Sequence, residues 1–259
     1  MTDLEREYSP SSRAGGSAQP FVEDWRARST AALSSLGPSV RTLAGGHLMV
    51  EPDDAAPMLV FVHGGYWQAL SAAESMYLAP GALALGWGFA ALEYTIAPEG
   101  TLATMVAEVT AGLRAIAEAA VPRAVVLAGH SAGAHLAAMA ALVQTPPLRV
   151  DRVVLLSGVF DLRPIVMTTV NEPLGLDLGA AERSSPMLLP VANATRVTVA
   201  WGDADTEAFG AQSTAYAAVL RRAGADVVSR RCVGRHHFDI VDDLVDPASE
   251  LGELTLGGL

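Results

Sequence analysis

The run Gly129-His130-Ser131-Ala132-Gly133 lies between a β-like apolar stretch, 124–128, and a helical stretch, 132–143, and this placement constrains the fold more than any other feature. A chain that leaves a strand and enters a helix around one residue must turn very sharply. Side chains two positions either side of the serine would clash, which explains Gly129 and Gly133. Such a turn presents the serine oxygen at a helix start, where free N–H groups and the helix dipole favour developing negative charge. Ser131 is therefore the candidate nucleophile.

Around this turn, short apolar runs alternate with longer helical patterns, the rhythm of strands joined by crossover helices. Strands are expected at 47–50, 58–62, 89–93, 124–128, 153–157, 196–201 and 226–231, with helices at 21–36, 72–85, 102–120, 132–143, 207–223 and 240–245. The expected fold class is α/β, with a mostly parallel central sheet and helices on both faces. The chain has 259 residues, 51% hydrophobic and 17% charged, enough to build one large core. This predicts one domain over 21–259. Residues 9–20 are rich in Ser, Gly and Pro, so 1–20 reads as an N-terminal arm. The stretch 168–190 breaks the rhythm with Pro173, Gly175, Gly179, Pro186 and Pro190, which makes it a candidate lid.

Charge and cysteine content narrow the function. A formal charge of -11 disfavours nucleic acid and anionic membranes, whose binding needs clustered positive charge. All 17 basic residues are Arg, so Schiff-base chemistry on Lys is excluded. Cys232 stands alone, which excludes an internal disulfide and a cysteine metal cluster. The opening Met1-to-Pro10 stretch is acidic, with no apolar run behind it, and a cytoplasmic location is expected. The longest nearly apolar stretch, 132–143, falls well short of the roughly 20 residues that cross a bilayer, so no membrane span is expected. His130 and His135 fall on different helix faces and no HExxH pattern occurs, so no metal is expected.

Three further loops supply partners for Ser131. His63-Gly64-Gly65-Tyr66-Trp67 follows the strand at 58–62, and its small residues let backbone N–H groups approach an oxyanion. Gly64, Gly65 and Ala132 are the candidate oxyanion donors, and Tyr66 and Trp67 are candidates to line the pocket and crowd its acyl side. Trp201-Gly202-Asp203-Ala204-Asp205 offers two acids after the strand at 196–201. Asp205 is favoured, and Asp203 stays a rival because either could instead cap the next helix. Gly234-Arg235-His236-His237-Phe238-Asp239 offers two bases, of which His237 is favoured and His236 is a candidate for the pocket entrance. Ser, Asp, His in that chain order is the usual order of one hydrolase fold.

With these residues assembled, the sequence resembles the kynurenine formamidase (arylformamidase) family, in the esterase/lipase branch of the α/β-hydrolases. The resemblance rests on EREYSPSS at 5–12, the HGGYW run, YTIAPE at 94–99, the elbow with His135, SGVFDLRP at 157–164, NEPL at 171–174 and the segment 237–242. It implies an α/β-hydrolase fold with Ser131 as nucleophile, Asp205 as acid, His237 as base, and Gly64, Gly65 and Ala132 at the oxyanion. It also implies no cofactor and a small-molecule substrate; a homodimer is a candidate assembly that the sequence does not fix. The implied reaction is hydrolysis of N-formylkynurenine to kynurenine and formate in tryptophan breakdown. The acid loop departs from the family's Asp-x-x-Glu-Phe run, because Asp205-Thr206-Glu207-Ala208-Phe209 places the glutamate one position early. The rivals are a carboxylesterase for small aryl or acyl esters and a catalytically silent ligand receptor on the same fold.

Overall fold

The structure, a computed structural model, describes residues 2–53, 55–193 and 195–259. Its eight strands are β1 (Arg41–Thr42), β2 (Leu48–Val50), β3 (Met58–Val62), β4 (Gly88–Leu92), β5 (Val125–His130), β6 (Arg152–Leu156), β7 (Arg196–Gly202) and β8 (Asp226–Cys232). The α-helices are α1 (Asp3–Glu7), α2 (Gln19–Leu36), α3 (Ala79–Ala84), α4 (Leu102–Ala119), α5 (Ala132–Ala138), α6 (Leu178–Arg183), α7 (Glu207–Arg222) and α8 (Glu250–Leu256). Among the described residues no helix is long and apolar enough to cross a membrane.

One sheet carries all eight strands in the order β1-β2-β4-β3-β5-β6-β7-β8, antiparallel at the β1–β2–β4 edge and parallel from β4 onward. Alternation along each strand divides the core between its faces. Val60, Val62, Leu127 and Leu155 pack toward α4, α5 and α7, while Leu59, Phe61, Val126 and Val154 pack toward α2, α3 and α8. Strands buried on both sides read as continuous apolar runs, which explains MLVFV at β3 and the VVLL that follows Arg152 in β6. After β3 the chain crosses to β4 on one side and then returns to β5 on the other. The carboxyl ends of β3 and β5 thus border the switch point where α/β sheets bind ligands.

Several expected elements are modified. The helix expected at 72–85 is a 3-10 turn over Ala73–Leu78 followed by α3, with Pro80 entering at the helix start. The helix expected at 132–143 is α5 continued by a π-helical turn, Met139–Val143. The element at 240–245 is a 3-10 helix.

The stretch expected as an arm is folded onto the sheet's carboxyl end, with Met1 outside the described residues. Tyr8 and Pro10 are buried, the Thr206 hydroxyl donates to the Glu7 carbonyl at 2.6 Å, and Gln212 Nε2 donates to the Tyr8 hydroxyl at 3.0 Å. The candidate lid at 168–190 is likewise tied down. Asn171 bonds the backbone of Leu176 through both ends of its amide, and the His135 ring donates to the Ser184 carbonyl at 2.7 Å. Thr169 and Val170 of this stretch form part of a cavity wall.

Candidate active site

Four loops at the carboxyl ends of β3, β5, β7 and β8 converge. Ser131 sits at φ 54° and ψ −118°, a left-handed strained conformation for a residue with a Cβ. The glycines around it are sterically required. A Cβ on Gly129 would lie 2.3 Å from the Gly133 carbonyl oxygen, and one on Gly133 would lie 2.0 Å from that of Val62. The Ser131 N–H donates to the Leu156 carbonyl at 2.8 Å, tying the turn to β6.

The loop after β3 lies against this turn. A Cβ on Gly64 would meet the Ser131 Cβ at 3.2 Å, and Gly65 takes φ 94°, where any side chain would also strike Ala69. Tyr94 anchors the loop from β4's end, donating its hydroxyl to the Gly64 and His63 carbonyls at 3.0 Å and stacking on the His63 ring at 4.1 Å. The N–H groups of Gly64, Gly65 and Ala132 have no acceptor among the described residues. Free donors beside a nucleophile are what a developing oxyanion needs.

The loops after β7 and β8 are joined at the backbone. Ala204 N–H donates to the Arg235 carbonyl at 2.9 Å, and only glycine fits at 202, where a Cβ would lie 2.3 Å from that same oxygen. His237 Nδ1–H donates to Asp205 Oδ2 at 3.0 Å, and the Asp205 side chain is fully buried. Burial pushes the Asp205 carboxyl up, but the charge and hydrogen bond of His237, the neighbouring Ser157 hydroxyl and the Thr206 N–H outweigh it and hold the group below its ordinary value. Asp203 is instead only half-buried, makes no hydrogen bond to His237, and accepts the Gly234 N–H at 2.8 Å. Bonding at Nδ1 leaves His237 Nε2 as the free acceptor. Ser131 and His237 line one cavity of about 330 Å³ without a hydrogen bond within 3.5 Å between them, a separation common before substrate arrives.

Phe209 packs edge-on against the His237 ring at 4.5 Å. His130, fully buried, donates its Nε2–H to the His237 carbonyl at 2.8 Å. Burial and the adjacent His237 drive the His130 pKa down to about 3, so it remains neutral.

Two of the expected pocket residues lie elsewhere. Trp67 is wholly buried in the core, where its indole N–H donates to His135 Nδ1 at 3.2 Å. Of the two rings only Tyr66 lines the cavity, with its hydroxyl donating to the Tyr8 carbonyl at 2.5 Å. His236 does not reach the cavity either. Its Nδ1 accepts the Phe238 N–H at 3.1 Å and its ring meets Phe21 edge-on at 4.9 Å. Glu5, Tyr8, Trp25 and Phe238 are among the other residues of the wall. Of these, Glu5 and Tyr8 fall in the EREYSP run, whose conspicuous sequence was a usable signal. Among the described residues no group of three or more His, Cys, Asp or Glu is placed to hold a metal.

Comparison with known proteins agrees with this geometry. The BD-FAE family model matches residues 47–218. The chain is 37% identical over 210 residues to the kynurenine formamidase of Danio rerio, spanning 77% of this chain and 72% of that protein. It is 34% identical over 206 residues to the kynurenine formamidase of Drosophila melanogaster, spanning 73% and 68% of the two. A solved structure from Silicibacter sp. TM1040, provisionally named a thioesterase, superposes with a TM-score of 0.85 at 30% identity over 97% of this chain and 98% of its own. Sheet order, elbow and sequence identity agree: the chain belongs to the kynurenine formamidase family, built on an α/β-hydrolase fold.

Proposed function

We propose that this protein hydrolyses aryl formamides, N-formylkynurenine to kynurenine and formate, with Ser131, His237 and Asp205 as its catalytic triad. The observation that carries this reading is the buried Asp205–His237 pair, whose histidine lines the same cavity as the strained Ser131.

Ser131 Oγ attacks the formyl carbon while His237 Nε2 takes its proton, and Asp205 stays ionised to hold the tautomer and stabilise the imidazolium. The carbonyl oxygen becomes an oxyanion and accepts hydrogen bonds from Ala132 N–H and the Gly64–Gly65 loop. Expelling an aromatic amine requires a proton on its nitrogen, and the His237 Nε2–H supplies it. Water then attacks the formyl-serine ester with His237 again as base. Formate leaves and Ser131 regains its proton. Every step uses groups present in the chain, and none calls for a cofactor.

The experiment is turnover of N-formylkynurenine beside a matched aryl ester and thioester, by wild type and by Ser131→Ala. Wild type should turn over the formamide, and the variant should fold normally yet lose activity by several orders of magnitude. Near-normal activity in folded Ser131→Ala would refute the mechanism. Turnover of butyryl esters faster than every formamide would replace the formamidase reading with an esterase.

A further inference from the structure

Beyond the reacting bond, the cavity must hold the rest of its substrate, and its walls are chemically uneven. Trp25, Leu70, Val170 and Phe238 offer apolar surface for an aryl ring. Among the cavity-lining residues the formal charge comes from Glu5 alone: Asp205 lies behind His237, His130 is neutral, and no arginine lines the wall.

The Glu5 carboxylate is held in place from one side. Thr169 donates its N–H to Oε2 at 3.1 Å and its hydroxyl to Oε1. A carboxylate has about four lone-pair sites, so lone pairs remain for a further donor. No Arg or His is paired with Glu5 among the described residues, whereas Glu74 and Asp242 each meet an arginine. A fixed, partly buried carboxylate without a counter-ion, facing a ligand cavity, suits a cation brought by the ligand. No cationic group stands opposite to receive a carboxylate.

The geometry points to Glu5 as the specificity residue that receives an ammonium group on the substrate, so that the site selects aryl formamides whose side chain is cationic. This rests on the proposed formamidase reading and adds the substrate's second recognition point. A zwitterionic amino-acid head is accepted through its ammonium, with its carboxylate left to hydroxyls such as those of Ser9 and Ser11 on the same wall.

The test compares two ortho-formamidophenyl ketones, one whose side chain ends in an ammonium group and an isostere ending in methyl, through the ratio of their kcat/KM values. In wild type the ratio should favour the ammonium compound by about tenfold, and in Glu5→Gln it should fall toward one. Loss of the contact to Thr169 would slow both substrates and leave the ratio intact, so the ratio isolates recognition from structure. A wild-type ratio within twofold of one, or a ratio unaltered in folded Glu5→Gln, overturns the assignment. A wild-type ratio near one overturns the assignment without any variant, and should Glu5→Gln fail to fold, Glu5→Ala reads the same ratio. The same pair prepared as aryl esters separates the two readings: cleavage of esters alone would discard the formamidase while the ester ratio still tests Glu5.

Discussion

His130 donates its ring N–H to the main-chain carbonyl of His237, 2.8 Å away, so the residue before Ser131, the proposed nucleophile, holds the loop that carries His237, the proposed base. The contact spans 107 positions of sequence and joins the loops after β5 and β8. His130→Phe keeps the ring but removes the donor. Because small misplacements of a catalytic group are costly, kcat should fall about 10- to 100-fold with KM little changed. A loss confined to KM in a folded variant would exclude His130 as a positioning residue.

The two aspartates of the β7 loop should differ sharply. Asp205→Asn leaves His237 in the wrong tautomer and should lower kcat by about 10⁴. Asp203→Asn alters only an exposed contact to Gly234 and should cost less than about threefold. Steady-state rates of the two variants decide it, and the assignment fails if Asp203→Asn is the more damaging.

Acid should destabilise the fold before its carboxylates titrate. Burial lowers the His130 and His135 pKa values to about 3 and about 4 from an ordinary 6.5. Between about 4 and 6.5 the unfolded chain therefore binds protons that the folded chain refuses, and stability falls as pH falls through that window. Each histidine contributes a slope of up to about 1.4 kcal/mol per pH unit. Denaturant unfolding at several pH values should show a shallower slope for His135→Gln than for wild type. Parallel slopes would show that His135 does not remain neutral in the folded state.

Gly133→Ala should be poorly tolerated, since its methyl would lie 2.0 Å from the Val62 carbonyl oxygen and α5 must move away from β3 to relieve it. Overpacking of this kind typically costs about 1–3 kcal/mol, and the shift also displaces Ser131. Unfolding midpoint and turnover should fall together. A variant with wild-type stability and rate would mean that the elbow is looser than its geometry implies.

Of Tyr66 and Trp67 only Tyr66 lines the cavity, which makes it the candidate to bound the acyl side. Tyr66→Ala should raise acetyl and butyryl turnover relative to formyl by roughly tenfold, because an added methylene no longer displaces a packed ring. The formyl-to-butyryl ratio of kcat/KM on one aromatic amine measures this. An unchanged ratio would place the acyl group elsewhere.

What was legible in the sequence is what short-range sterics dictate. Gly129 and Gly133 around Ser131, Gly64 and Gly65 after β3, and the apolar runs of the parallel strands each follow from contacts between close neighbours or from burial on both faces. Other local signals are weaker. Ser249 caps α8 and Asp177 caps α6, each accepting the backbone N–H three residues on, but α6 lies within a Pro- and Gly-rich stretch that reads as a loop. The two-residue β1 has too few positions to show alternation.

Tertiary structure alone decided between like residues in one loop and assembled the walls of the cavity. Asp203 and Asp205 are equivalent as text. The fold desolvates one against His237 and leaves the other half-exposed on the Gly234 N–H. Tyr66 and Trp67 are adjacent and both bulky, yet at positive φ one ring faces the cavity while the other enters the core to meet His135. Glu5 and Tyr8 reach the site across more than 160 and 200 residues of chain through Thr169 and Gln212. Such choices depend on which polar atom finds a partner once water is excluded, and that is settled only when distant segments pack together.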